Sequence, residues 1–295
     1  DFNNREDLIH FLTEATPLIV EEKNCFSLSM IDEDNFFKSL IGRYNGRKLC
    51  RFTTMSSLFR TLNEAKQSMC SIVCMNDKTE SNFVSSNYSS IEPYLNTTNS
   101  NSFYILSCCD INRKNDFTML RLYADDAKGV CIEYDIESKD LGEPFYLGRI
   151  QYADINGKHP KLDYLESLIL RKIKGKSFKL NRTPIWHHFF KPYEFKDEKE
   201  IRLLFFNDYQ KETGIFNKKV KWILNEQFGI VTPLVEFSIS DQNCDFPLII
   251  NKINLGPKTK ESKTNEEQLE CLIRNKKIVQ WKQIVIEQSK VKCYR

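Results

Sequence analysis

The sequence lacks several features that would assign the protein to a class at once. No stretch approaches the run of about 18 apolar residues that is typical of a membrane span. The 43 basic and 40 acidic residues leave a formal net charge of only +3. Each phosphate contact needs a Lys or Arg, so this balance gives no indication of a dedicated nucleic-acid surface. We therefore expect no membrane association and no extensive nucleic-acid interface.

Short catalytic motifs are also lacking: there is no glycine-rich phosphate loop, no H-E-x-x-H and no nucleophile motif. The 10 cysteines stand mostly singly in apolar contexts. Cys70 and Cys74, with the pair Cys108-Cys109, lack the paired C-x2-C spacing of a zinc site. The first residues do not resemble a signal peptide. These observations predict a cytoplasmic protein with reduced, mostly buried cysteines and no bound metal.

A hydrophobic content of 41% over 295 residues indicates a globular protein of one large or two ordinary domains. Apolar residues at helical spacing predict helices over residues 5 to 22 and 32 to 44. We read residues 1 to 45 as an N-terminal helical extension and residues 46 to 295 as the main domain.

Buried strands with few helices between them follow in the main domain. They are predicted over residues 48 to 53, 103 to 108, 129 to 134 and 200 to 206. This order favours an α+β fold with a central, mostly antiparallel sheet and flanking helices.

Two polar segments interrupt this pattern. Residues 81 to 101 are rich in Ser, Asn and Thr and predict a loop or mobile lid. Residues 162 to 176 predict a basic helix, whose charges form either a solvated face or a phosphate-binding surface.

The most informative stretch is Glu198-Lys199-Glu200-Ile201-Arg202, which leads into the apolar run from Leu203 to Phe206. A strand has a side-chain period of two. Both carboxylates and the guanidinium are therefore predicted to share one face of a strand.

Four blocks, read in order, resemble one family. They are Arg51-Phe52-Thr53-Thr54, the block from Cys74 to Glu80, the block from Leu106-Ser107-Cys108 to Tyr134, and Glu198 to Arg202. Together with the residues from Ser289 to the C-terminus, they resemble the bacterial domain of unknown function 2971 family over roughly residues 48 to 295. The layout is in turn similar to that of ADP-ribosyltransferases, which implies a split sheet.

The resemblance implies a function and a set of roles. It implies that NAD is the substrate, with Arg51 and the neighbouring Thr53 holding the dinucleotide and Tyr123 stacking on the nicotinamide. It further implies an NAD-consuming transferase or glycohydrolase, acting as a bacterial toxin or antiphage effector with a protein or nucleic-acid acceptor. The Ser-Thr-Ser strand of the arginine-specific class has no clear match in this sequence.

The carboxylates fit this chemistry. Breaking the nicotinamide glycosidic bond builds positive charge on the ribose, which a carboxylate stabilises. Glu200 is predicted to be the most important catalytic residue and Glu198 the second. Arg202 is predicted to orient a bound carboxylate or to pair with one of these glutamates.

Other interpretations remain open. Arg51 equally suits a structural ion pair, Tyr123 suits packing, and His187 and His188 suit interior positions beside Trp186. A binding module for a nucleotide or nucleic acid would use the basic residues 171 to 182. A metal-dependent phosphoesterase would use four carboxylates, those of Asp77, Asp110, Glu198 and Glu200.

Overall fold

A computed structural model describes residues 19–22, 25–42, 44–74, 78–95, 102–137, 141–170, 177–208, 217–225 and 229–291. They form two compact units. Unit 1 contains the described parts of residues 1–44, 72–103 and 148–197. Unit 2 contains those of residues 45–71, 104–147 and 198–295.

The described helices are α1 (Met30–Ile41), α2 (Met55–Glu64), α3 (Lys78–Asn87), α4 (Phe117–Tyr123), α5 (Pro160–Ile169), α6 (Thr183–Trp186) and α7 (Ser262–Asn275). The strands are β1 (Ile19–Glu22), β2 (Cys25–Leu28), β3 (Lys48–Thr53), β4 (Lys66–Ser71), β5 (Phe103–Asp110), β6 (Val130–Ile136), β7 (Phe145–Arg149), β8 (Gln151–Tyr152), β9 (Ser177–Lys179), β10 (Phe190–Lys191), β11 (Glu200–Phe206), β12 (Lys221–Asn225), β13 (Ile230–Ser238), β14 (Leu248–Leu255) and β15 (Val285–Gln288). Within the described ranges, none of the helices has the length and apolarity needed to cross a bilayer.

Unit 2 is built on a ten-stranded sheet with the order β12-β13-β4-β5-β3-β6-β14-β15, and β11 pairs with both β5 and β7. Strand pairing is antiparallel from β13 through β4, β5, β3 and β6 to β14, whereas β14 and β15 pair in parallel. The predicted α+β class with a mostly antiparallel sheet is confirmed.

The two faces of this sheet are chemically different. Side-chain alternation along β3 puts Cys50 and Phe52 on one face and Arg51 on the other. The first face is covered by α4 and the loop after it, and we call it the helix face. Its core contains Cys50, Phe52, Cys109, Met119, Leu120, Ala124, Ala127 and Cys131. We call the other face the opposite face. Glu133 pairs with Cys50 and so points to the helix face, which places the next residue, Tyr134, on the opposite face.

The strand predictions agree closely with the structure. Residues 48 to 53 and 200 to 206 coincide with β3 and β11, and the other two predicted strands correspond to β5 and β6. Strong apolar periodicity made these segments readable, since their side chains are almost all buried.

Two local predictions are wrong. Residues 19–22 form strand β1 and do not continue a helix, while residues 5 to 18 lie outside the described residues. The segment predicted as a loop or lid contains α3 and a 3-10 turn, Glu92–Tyr94. Phe83, Val84 and Tyr88 are buried there, which the polar composition around them concealed. Residues 96 to 101 lie outside the described part.

The two compact units divide the chain at more places than the prediction, which has a single boundary after residue 45. One passage between the units lies there, but residues 72–103 and 148–197 belong with the N-terminal residues in unit 1. A discontinuous unit has no compositional boundary where the chain enters and leaves it, so the sequence could not reveal it.

An acidic pair in α1 holds unit 1 together. Asp34 accepts two bonds from the Arg182 guanidinium, both at 3.0 Å, and one from Trp186 Nε1 at 2.8 Å. Glu33 is fully buried and accepts the backbone N–H of Arg182 at 2.5 Å. Its second oxygen, Oε2, has no hydrogen-bond partner among the described residues. Burial raises the pKa of Glu33 to about 7.

We expect the stability of the protein to fall as the pH rises from about 4.5 to about 7. The raised pKa means that folded Glu33 binds a proton more tightly than unfolded Glu33, so ionisation favours unfolding. The loss is on the order of 3 kcal/mol above pH 7. In Glu33→Gln, the free energy of unfolding measured by urea denaturation should lose this decrease between about pH 4.5 and about pH 7. The exposed Glu194→Gln should keep the wild-type profile; an unchanged slope in Glu33→Gln would contradict the assignment.

Candidate functional site

The helix face of unit 2 carries an accessible carboxylate paired with a phenol. Tyr123 is the last residue of α4, and Glu198 ends the 3-10 turn Tyr193–Glu198. The Tyr123 hydroxyl donates to Glu198 Oε1 at 2.5 Å. Tyr123 is 41% exposed and Glu198 is half-buried, so solutes can reach the pair.

The backbone of Glu198 is held from two sides. Its carbonyl oxygen accepts from Arg113 Nη1 and from Cys109 Sγ, the latter at 3.7 Å. Arg113 is itself fixed by Asp116, with Nη2 2.6 Å from Oδ2. Lys199 follows in the left-handed region, at a φ of 47°. This conformation costs about 1–2 kcal/mol in a residue with a Cβ, and it separates Glu198 from the strand.

The expectation that Glu198, Glu200 and Arg202 share one strand face is therefore only partly correct. Strand β11 begins at Glu200, so Glu200 and Arg202 alternate as predicted. Glu198 lies before the strand, so the 3-10 turn, and not the side-chain alternation of β11, sets the direction of its side chain.

Glu200 is the centre of a buried ion pair. Arg202 Nε donates to its Oε1 at 2.9 Å, and Nη2 donates to Oε2 at 3.1 Å. Ser107, on β5, adds a bond of 2.7 Å to Oε1. Glu200 is 4% exposed and Arg202 is 1% exposed. Both carboxylate oxygens are thus engaged inside the protein, and the pair carries no net charge.

Arg51 and Thr53 are separated from these groups. Both lie on the opposite face of the sheet, whereas Ser107 shares the helix face with Cys109 and binds Glu200. Burial raises the pKa of Tyr134, and the Arg51 guanidinium, which is hydrogen-bonded to this phenol, opposes the rise. The structure therefore brings Tyr123, Glu198, Glu200 and Arg202 to one face and excludes Arg51 and Thr53 from it.

The nearby thiols are not activated as nucleophiles. Burial raises the pKa of Cys109 to about 12, and the neighbouring Cys131 together with burial raises that of Cys50. Both are free thiols. Because the thiolate is the reactive species, these side chains serve packing under α4.

The remaining candidates have structural positions in unit 1. Trp186 and His188 are buried, as expected, and burial lowers the pKa of His187 to about 4, so its imidazole is neutral at pH 7. Arg182 is held by Asp34. Residues 171 to 176, from the proposed basic surface, lie outside the described residues.

The described carboxylates of the phosphoesterase hypothesis, Asp110, Glu198 and Glu200, do not form a recognisable metal centre. Asp110 accepts the backbone N–H of Asn112 at 3.1 Å and so caps a 3-10 turn. Asp77 lies outside the described residues. In the part of the chain that the structure describes, no group of three or more His, Cys, Asp or Glu is arranged to hold a metal.

Two residues of the site were missed by the sequence reasoning. Ser107 is a lone hydroxyl in the apolar run from Phe103 to Cys108, and a buried polar residue in such a run indicates a partner on a neighbouring strand. Arg113 gave no comparable signal, since it lies among polar turn residues.

Comparison of the chain with protein-family models, with curated proteins and with solved structures found no match.

Proposed function

We propose that the protein is an enzyme that cleaves the bond between nicotinamide and ribose in NAD. The C1′–N bond breaks, nicotinamide leaves with the bonding electrons, and the oxygen of water or of an acceptor adds to C1′ and loses a proton. The observation that carries the proposal is the 2.5 Å hydrogen bond between Tyr123 and the accessible Glu198. The branching of the sheet at β5, which pairs with β3, β4 and β11, is compatible with a split sheet.

Glu198 is the reactive carboxylate in this proposal, and Glu200 has a positioning role. A carboxylate that the ribose can reach stabilises the positive charge that develops there. Glu200 is 4% exposed and bonded to Arg202, whereas Glu198 is half-buried and accepts a hydrogen bond from the exposed Tyr123. The ring of Tyr123 offers an exposed surface on which nicotinamide can stack.

A nucleotide-binding module without catalysis is the second candidate. It is favoured by the saturation of Glu200 and by the position of Arg51 on the opposite face. The test is direct: nicotinamide release from NAD is measured for the purified chain, with and without cell extract as a source of acceptors. NAD binding by calorimetry without any release would favour the binding module, and neither binding nor release would remove both candidates.

We expect Tyr123→Phe to lower kcat for nicotinamide release about tenfold, the effect of losing one hydrogen bond to a carboxylate. The ring remains, so KM for NAD should change little. The residue is at the surface, so the unfolding midpoint should stay near the wild-type value. Tyr193→Phe, at a surface tyrosine of unit 1, is the matched control. A rise in KM with unchanged kcat would show that Tyr123 binds the substrate and does not orient Glu198.

A further inference from the structure

The surface of α4, the helix that ends at Tyr123, forms one side of a cleft. We call it the α4 cleft. Its volume is about 510 Å³, and its lining consists of Phe117, Thr118, Arg121, Leu122 and Asp126. Leu122 is 66% exposed, and Phe117 adds an aromatic ring to this wall. The cleft therefore combines a flat apolar surface with a guanidinium, a hydroxyl and a carboxylate.

Three cations act on the Asp126 carboxylate. Lys258 Nζ lies 2.7 Å from its Oδ2, and Arg121 Nε lies 3.7 Å from its Oδ1. Lys128 is a third cation that acts on the same carboxylate. All of these groups are at the surface, where ion pairs contribute little stability. Such a cluster retains the ability to bind an additional anion, and phosphate oxygens suit a guanidinium fork.

The loop after α4 holds these charges in a defined conformation. Asp125, Asp126 and Ala127 have successive positive φ values of 47°, 51° and 66°. Gly256 packs so closely against this loop that a Cβ there would lie 2.2 Å from the carbonyl oxygen of Ala127. Preorganised charged groups bind a ligand with less loss of conformational entropy.

A cleft of unit 1 provides a useful contrast. It is larger, at about 620 Å³, and its described lining residues include the carboxylates of Asp154 and Glu194 and, among these residues, no Lys or Arg. The described lining of that cleft offers a phosphate group two carboxylates. The lining of the α4 cleft contains the Arg121 guanidinium beside the Asp126 carboxylate.

We infer that the α4 cleft binds the adenosine diphosphate half of a dinucleotide, with the diphosphate against Arg121 and Lys258 and the adenine against Phe117 and Leu122. This inference rests on the proposed function. It assigns diphosphate binding to Arg121 and Lys258 and no longer to Arg51. Tyr123 follows Leu122 at the end of the same helix, so one extended dinucleotide can reach both the cleft and Glu198.

The experiment measures ADP and adenosine binding to the full chain by calorimetry. Arg121→Ala and Lys258→Ala should each weaken ADP binding about tenfold to a hundredfold, as expected for a lost charge-assisted hydrogen bond. Adenosine, which has no phosphate, should be affected much less. Higher salt should weaken ADP binding by the wild type. Lys276→Ala removes an exposed cation on another part of unit 2 and should have no effect.

The outcomes separate this inference from the proposed function. ADP binding that depends on Arg121, without nicotinamide release from NAD, would support the α4 cleft and overturn the enzymatic proposal. Nicotinamide release with an unchanged KM for NAD in Arg121→Ala would support the enzyme and overturn the cleft. No ADP binding by the wild type at millimolar concentration would also overturn it.

Discussion

Glu198→Gln is expected to lower nicotinamide release from NAD by about a hundredfold to a thousandfold, the usual effect of removing one preorganised electrostatic group. The substitution keeps the shape of the side chain and an oxygen that can accept from Tyr123. It removes the negative charge that would stabilise the ribosyl cation. Because Glu198 is half-buried and its side chain meets the exposed Tyr123, stability should change by less than about 1 kcal/mol.

The measurement is single-turnover nicotinamide release together with urea denaturation of the same preparations. Glu267→Gln, an exposed glutamate on α7, is the matched control and should retain wild-type activity. Full activity in Glu198→Gln would exclude this carboxylate from the reaction. Loss of activity with a similar loss of stability would leave no separate electrostatic role for it.

Glu200→Gln is expected to lower the free energy of unfolding by about 3–5 kcal/mol, because it leaves the buried Arg202 without its counter-charge. Both groups are almost fully buried, and their two hydrogen bonds form a bidentate pair. The loss would therefore come from an uncompensated charge in a low-dielectric interior and not from the modest net value of the pair.

A double-mutant cycle isolates this effect. Glu200→Leu alone and Arg202→Met alone should each destabilise, since each leaves one buried partner without its counter-charge. The combination Glu200→Leu with Arg202→Met should recover most of the loss, because replacing both charges by apolar groups is often neutral or stabilising. Additive losses in the double variant would show that the two residues are not coupled.

The two experiments together decide between the carboxylates. The sequence alone favours Glu200 as the residue on which activity depends, with stability retained on its substitution. Burial and pairing in the structure favour the reverse: activity depends on Glu198, and Glu200 stabilises the sheet at the base of the site.

Local patterns in the sequence are sufficient to predict many elements of the fold. Strands β3 and β11 can be predicted, because short apolar runs indicate strands whose side chains are mostly buried. Helix α3 is not readable in this way. Its few apolar residues are surrounded by Ser and Asn, and only packing in unit 1 shows that they are buried.

The candidate site was predicted in part. The sequence identifies Glu198, Glu200, Arg202 and Tyr123, all of which lie on the helix face. It could not show that Ser107 binds Glu200, 93 residues away, or that Tyr123 binds Glu198, 75 residues away. Hydrogen bonds between residues so far apart in the sequence produce no periodic pattern, because the sequence around each residue reflects only its own strand, helix or turn.

The sequence by itself determined the α+β class, the positions of the central strands and the presence of one carboxylate at the start of β11 and another two residues before it. These properties follow from steric preferences and hydrophobic spacing within short segments. Only the tertiary structure decided which carboxylate remains accessible and on which face Arg51 lies. Strand register and the packing of α4 set both outcomes, since the same type of side chain is accessible beside Tyr123 and buried beside Arg202.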